Sequence, residues 1–352
     1  NPNTQEQQQC IAYSLDSESF VPYEHNPVIS NKVGDVDYKV DFRDPKIFKN
    51  DILGGYSVAL AVGRRIEFYH TDNLLDWEKT GEFDPAENGF DGICECPDCF
   101  RLKVEGREDY RWILSLSSIL DEDKVGLPLS ERGYSNPRVM QYFVGEFDGR
   151  TFVDTERYEE PLVLDYGADN YAMVSFAGLE DVVMIGWGEH WDYAAELPEM
   201  TDRGDTASGH RGKMTLARKA GLVYTDRGYR LTFDFVDATS SSGDVKFRGA
   251  DRINLDAGVE ISRYIIQPED KLELTNSFGS VYSIAVSGDS IIVDRTAAVA
   301  ETVSSFLKKD SYNVFRAKRY SEGSCEILVV EDEGYVELLA DGGLIPFSFI
   351  TL

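Results

Sequence analysis

The sequence predicts an all-β protein, on three observations. Short apolar runs recur along the whole chain, separated by turn signals. No long stretch carries the 3.6-residue apolar period of an amphipathic helix. Aromatic residues make up 12% of the chain, with 19 Tyr and 19 Phe, a bias that favours strands over helices.

Taken in order, strand-like runs fall at residues 9–14, 56–62, 65–69, 112–117, 139–147, 182–187 and 291–294. The run 303–309 makes at most a short turn of helix. Two fragments share a pattern. Ala12-Tyr13-Ser14-Leu15-Asp16 is followed by a polar stretch and Asn26-Pro27-Val28-Ile29. Phe68-Tyr69-His70-Thr71-Asp72 leads to Leu75-Asp76-Trp77-Glu78-Lys79. Both read as a strand, a Ser/Thr-x-Asp turn and a second strand. Repeating antiparallel units of this size suggest propeller blades; the hairpins of a sandwich are the alternative.

A chain of 352 residues exceeds one ordinary core and predicts two domains. The Ser-rich stretch 237–244, reading DATSSSGD, is the best boundary. It separates a first domain, 1–236, from a second, 245–352, whose strands at 281–287, 291–295, 327–331 and 335–339 suggest a β-sandwich.

Composition excludes several function classes. Against 35 Lys and Arg stand 63 Asp and Glu, a net charge of -28 that repels nucleic acid and anionic membrane. No apolar run approaches the roughly 20 residues that span a bilayer. The five cysteines, three of them clustered at Cys94, Cys96 and Cys99, do not form a disulfide pattern. Zinc would need a fourth ligand that the sequence does not supply nearby, so no metal is expected. Reduced cysteines and the absence of Asn-x-Ser/Thr sites lean towards the cytoplasm, with localisation otherwise left open.

Two carboxylate contexts stand out. In Phe42-Arg43-Asp44-Pro45-Lys46-Ile47-Phe48, an Arg beside an Asp is fixed by Pro and followed by a strand. It can point a charged pair into a cleft, or it is a surface ion pair. In Cys94-Glu95-Cys96-Pro97-Asp98-Cys99-Phe100, Glu95 sits between two small apolar residues. Enclosure by the cysteines would desolvate the carboxyl and raise its pKa, as a general acid requires. The alternative is a strand-end Glu facing water.

Together these strings resemble the motif pair of glycoside hydrolase family 32. Further matches follow in that family's order: Gln141-Tyr142-Phe143-Val144-Gly145; Leu164-Asp165-Tyr166-Gly167 with Asp169 and Tyr171-Ala172; Gly186-Trp187, Trp191-Asp192-Tyr193 and Leu197-Pro198; Arg211-Gly212-Lys213-Met214-Thr215 with Arg218; Val293-Asp294-Arg295; and Val336-Glu337-Leu338. The resemblance covers nearly all of the chain. At Arg230-Leu231-Thr232-Phe233-Asp234-Phe235 the sequence departs from the family's Gln-x-Pro ending.

The resemblance implies a five-bladed β-propeller followed by a β-sandwich, with an active-site funnel on the propeller axis. It implies a retaining hydrolase of β-fructofuranosides such as sucrose, without a cofactor. Glu95 resembles the general acid/base. Asp44 resembles the carboxylate that grips fructose hydroxyls and stabilises the oxocarbenium-like transition state. Arg43 orients these groups and binds sugar. Tyr171, Trp187 and Trp191 are candidates for cleft walls, with a place in the core as the alternative for each Trp. The family's nucleophile, an Asp in an Asn-Asp-Pro-Asn motif, has no counterpart here; Asn1-Pro2-Asn3 lacks the acid. Most of the first blade is therefore expected on an absent N-terminal segment of the same gene product, and this chain by itself is expected to be inactive. A non-catalytic carbohydrate-binding or regulatory member and a fructosyltransferase are the alternatives. Neither the fructoside nor the oligomeric state follows; a homo-oligomer is compatible. His190, Arg203, His210 and Arg211 are the basic residues that a phosphorylated sugar would need.

Overall fold

In a computed structural model of the chain, the described residues are 6–31, 40–120, 137–158, 160–197, 212–236, 253–254, 260–276, 279–299, 304–309 and 312–351. The expected linker 237–244, and Pro198, Arg203, His210 and Arg211, lie outside them. Among the described residues the apolar runs pair into six sheets, and helix is confined to single 3-10 turns such as Phe306–Lys308. None of these turns could cross a membrane.

A hairpin comes first, β1 (Ala12–Tyr13) with β2 (Val21–Pro22). A four-stranded meander follows: β3 (Phe42–Lys49), β4 (Tyr56–Val62), β5 (Arg65–Thr71) and β6 (Glu78–Phe83). The next sheet runs β7 (Gly92–Lys103), β8 (Tyr110–Leu120), β9 (Arg138–Phe147), β10 (Phe152–Asp154), with β11 (Leu162–Val163) also on β9. A third meander is β12 (Tyr171–Ser175), β13 (Val183–Trp187), β14 (Arg218–Thr225) and β15 (Gly228–Phe235). The remaining strands are β16 (Ile253–Asn254), β17 (Glu260–Ile266), β18 (Lys271–Thr275), β19 (Val281–Val286), β20 (Ser290–Asp294), β21 (Val314–Lys318), β22 (Cys325–Asp332), β23 (Tyr335–Ala340) and β24 (Ile345–Ile350). They form two sheets, β16-β17-β22-β23-β24 and β18-β19-β20-β21.

The chain divides into two compact units. The first comprises Asn1–Lys103, Glu108–Asp121 and Gln141–Leu162, and the second Val104–Arg107, Glu122–Met140 and Val163–Leu352.

In the first unit, strand alternation gives β4 two apolar faces. Val58, Leu60 and Val62 pack with Ile29 and Phe42, while Ala59 and Ala61 join Phe68, Phe83, Cys94, Leu114 and Phe147. The sheet β3–β6 is thus covered on both sides, and the strand beside β3 is fixed. In the second unit, Ile284, Val293 and Phe315 of one sheet share a cluster with Ile327, Leu338 and Phe347 of the other.

The repeated turn is present, in the first copy where expected and in the second one residue away. Ser14 Oγ and Asp16 Oδ1 accept from the backbone of Ser17 and Ser19, and Ser17 has φ +65°. In the second copy Thr71 Oγ1 and Asn73 Oδ1 accept from Leu74 and Asp76, and Leu74 has φ +65°. The second acceptor is therefore Asn73, not Asp72. An Asx turn needs a short acceptor two residues after the Ser or Thr, and an amide serves as well as a carboxylate.

Candidate active site

The strings around Arg43 and Glu95 lie on the first strands of two successive sheets, β3 and β7. Each strand carries the same irregularity. In β3 the pairing steps from Arg43 opposite Ala61 to Lys46 opposite Ala59. In β7 it steps from Glu95 opposite Ser117 to Asp98 opposite Ser115. Each step is a β-bulge of one extra residue, which re-aims the side chains around it. Its second residue has positive φ, +60° at Asp44 and +45° at Cys96, and a Pro follows each. Such a backbone is strained in a non-glycine residue and persists only where its surroundings enforce it.

The two bulges interlock, with contacts between positions 52 apart. Arg43 Nη2 donates to Glu95 Oε1 at 2.9 Å over that separation. Cys96 N donates to Asp44 Oδ2 at 3.0 Å, and the Cys96 thiol donates to the same oxygen at 3.5 Å. Lys46 Nζ lies 3.2 Å from Asp98 Oδ2. Arg43 also binds Asp41 through Nη1, and its Nε lies 4.0 Å from Asp44 Oδ2. One guanidinium thus binds Glu95 and lies near Asp44, which Cys96 in turn holds. Gln7 and Gln9 tie down the start of β3: Gln7 Oε1 accepts from Phe42 N at 2.9 Å, and Gln9 Nε2 donates to Phe42 O at 2.7 Å.

The cysteines do not enclose Glu95 as expected. Cys94 points into the core beside Ala59, Phe83 and Leu114, and Cys96 turns to Asp44. Alternation sends the neighbours of a strand residue to the other face, and the bulge redirects Cys96. Glu95 meets a guanidinium instead. Burial, and next the Asp44 carboxylate, push the Cys96 thiol up to about 12, so it stays protonated and can donate.

The aromatic candidates Tyr171, Trp187 and Trp191 form a group of their own in the second unit. Strand β12 has the same bulge: Tyr171 pairs with Trp187, Val174 with Ile185, and Ala172 between them has φ +55°. Tyr171 therefore holds in its sheet the position that Arg43 and Glu95 hold in theirs. Tyr171 is buried and Trp187 half-buried. Trp191 packs on Trp187 with ring centroids 4.8 Å apart and is 59% exposed. Its neighbours are anchored. Asp192 accepts from Arg138 Nε at 2.9 Å and Tyr312 Oη at 2.6 Å. Tyr193 Oη accepts from Arg295 Nη2 at 2.9 Å and donates to Asp169. A large indole is thus presented to solvent on a rigid turn.

His190 is not available to a phosphate. It is buried, accepts from Asp192 N through Nδ1 at 3.1 Å, and stacks on Tyr193 at 5.0 Å. Burial lowers its pKa from 6.5 to about 4. The unfolded chain therefore binds a proton in this window that the native state does not. Stability from this group is complete above pH 6.5 and is lost as pH falls towards 4, by roughly 3 kcal/mol. Urea unfolding at pH 7 and pH 4.5 should show this loss in the wild type, and His190→Asn should remove most of the difference. Equal slopes in the two proteins would refute it.

Sequence reading missed Asp41, Lys46, Asp98 and the two glutamines. A visible signal existed for the middle pair. Arg-Asp-Pro-Lys and Glu-Cys-Pro-Asp place opposite charges at their first and fourth positions around a common Pro.

Two carboxylates brought to matching bulges of successive antiparallel sheets are groups that glycoside hydrolysis can use. The glycosyl hydrolases family 32 N-terminal domain model matches residues 1–233, and the chain belongs to that family. It is 34% identical over 207 residues to a levanase of Bacillus subtilis (strain 168), covering 57% of this chain and 28% of the levanase. It is 26% identical over 366 residues to a levanase of Bacillus sp. (strain L7), covering 96% of this chain and 37% of that protein. The chain thus spans well under half of these two relatives. The crystal structure of exo-inulinase from Aspergillus awamori superposes with a TM-score of 0.76 at 22% identity, over 99% of this chain and 69% of that one, a likeness of fold.

Proposed function

We propose that this chain is part of a retaining β-fructosidase that acts on sucrose or a related β-fructoside. The observation that carries the reading is that paired bulges bring Asp44 and Glu95 to one place, tied by Arg43–Glu95 and Cys96 N–Asp44. In this reading Glu95 protonates the leaving oxygen and later deprotonates the attacking water. Asp44 grips the fructosyl hydroxyls and stabilises positive charge on the ring. Arg43 keeps both acids in place. Tyr171, Trp187 and Trp191 are the second unit's own candidates for sugar contact, and the exposed face of Trp191 supports stacking there. The nucleophilic Asp comes from outside these 352 residues, which hold no Asn-Asp-Pro-Asn motif. No cofactor is needed.

The same reading makes the sheets β3–β6, β7–β11 and β12–β15 successive blades of a five-bladed propeller within 1–236, with a β-sandwich in 245–352. The identical bulge in the first strand of each sheet supports the blade assignment.

The test is hydrolysis of sucrose, levan and inulin by the intact gene product that carries this chain. NMR should show β-fructofuranose as the first product, since double displacement retains configuration. Release of α-fructofuranose would overturn the mechanism. Sugar binding without turnover would favour the non-catalytic reading, and transfer to a sugar in preference to water would favour the transferase.

A further inference from the structure

Each motif bulge is held on both flanks. Arg43 and Glu95 meet before the bulges, and Lys46 and Asp98 meet directly after them, where the ladders with β4 and β8 resume. The Asp98 side chain is 1% exposed and that of Lys46 20%. We propose that Lys46 and Asp98 are a positioning pair for the reaction, fixing how far apart the two bulges stand and hence how Asp44 faces Glu95. The proposal rests on the fructosidase reading for what the spacing serves, but not for the spacing itself.

Three observations support it. First, a buried ion pair is a poor device for stability alone, because apolar residues of similar volume often hold such a place equally well. A direct N–H···O contact instead sets one distance, here 3.2 Å. Second, Asp44 and Cys96 hold positive φ, and such strained residues need surroundings that over-determine them. Arg43–Glu95 braces one flank, Cys96 N–Asp44 ties the strained residues themselves, and Lys46–Asp98 braces the other flank. Third, neither residue is placed to react. Both lie one step further along their strands than Arg43 and Glu95, opposite Ala59 and Ser115, and they pair with each other.

The experiment uses the intact gene product with Asp98→Asn, Lys46→Met and the conservative Lys46→Arg. A misplacement on the order of 1 Å can cost about 100-fold in rate. Asp98→Asn and Lys46→Met should therefore lower kcat per folded molecule about 10- to 100-fold, with KM changed less than about threefold, and Lys46→Arg should restore most of kcat. Reduced thermal stability with kcat per folded molecule unchanged would overturn the proposal. Lys46→Met, partly exposed, serves if Asp98→Asn does not fold. A wild type that hydrolyses no fructoside would sink the fructosidase reading instead. In that case crystal structures decide: the Arg43–Glu95 and Asp44–Cys96 contacts should lengthen in the variants, and unchanged contacts would overturn the positioning role.

Discussion

Glu95→Gln in the intact gene product is expected to lower turnover of natural β-fructosides about 10²–10⁴-fold, the usual contribution of a positioned acid or base. Gln keeps the size of Glu and can still accept a hydrogen bond from Arg43, which also keeps its contact with Asp41. The fold should therefore survive, and KM should change little, because the lost proton transfer belongs to the transition state. The dependence on leaving group separates this role from general damage. A fructosyl donor whose leaving group departs without protonation, such as the fluoride, bypasses the acid step. The variant should form its covalent intermediate from that donor readily and then stall, since water no longer has a base. Added azide needs no base and should restore turnover as fructosyl azide. A variant equally slow on both donors, with no response to azide, would remove Glu95 from the acid/base role.

What could be read from the residues was local. Arg43, Asp44 and Glu95 stand in short strings whose Pro and charge pattern is visible without a fold. Their convergence was not visible, because it depends on register. A single extra residue in β3 and in β7 aligns positions 52 apart, and nothing in either string alone reports its partner. The same cause explains the misplaced cysteines. Adjacency in sequence suggested that Cys94 and Cys96 flank the Glu95 carboxyl, whereas alternation turns Cys94 into the core and the bulge turns Cys96 to Asp44. In the second unit, the Asp165, Asp169, Arg218, Arg295 and Glu337 matches carried no assigned role. Their role depends on partners more than 50 positions away along the chain, such as the 53 between Arg218 and Asp165.

Among those partners, one buried pair predicts a large stability effect. Arg295 is fully buried. Its guanidinium binds the Asp169 carboxylate, donates to Tyr193 Oη at 2.9 Å, and reaches the carbonyls of Tyr312 at 2.8 Å and Ile350 at 2.9 Å. Asp169 in turn accepts from Ile350 N at 2.8 Å and from Tyr193. Arg295→Met would leave the Asp169 charge without its counter-ion and two carbonyls without a donor. Breaking one side of a buried pair costs about 3–5 kcal/mol, or roughly 6–20 °C in Tm for a unit of this size. Asp169→Asn should cost a similar amount, by stranding the guanidinium. The double variant decides between charge and packing. If the loss comes from an unpaired charge, removing both partners should cost less than the two single changes added together. Strict additivity in urea-unfolding midpoints would mean that the two residues act separately. The same network carries Tyr193, which flanks the exposed Trp191 on its turn. If Trp191 contacts sugar as proposed, Arg295→Met should also weaken sugar binding at temperatures where the protein remains folded, an effect that an ion pair serving stability alone would not produce.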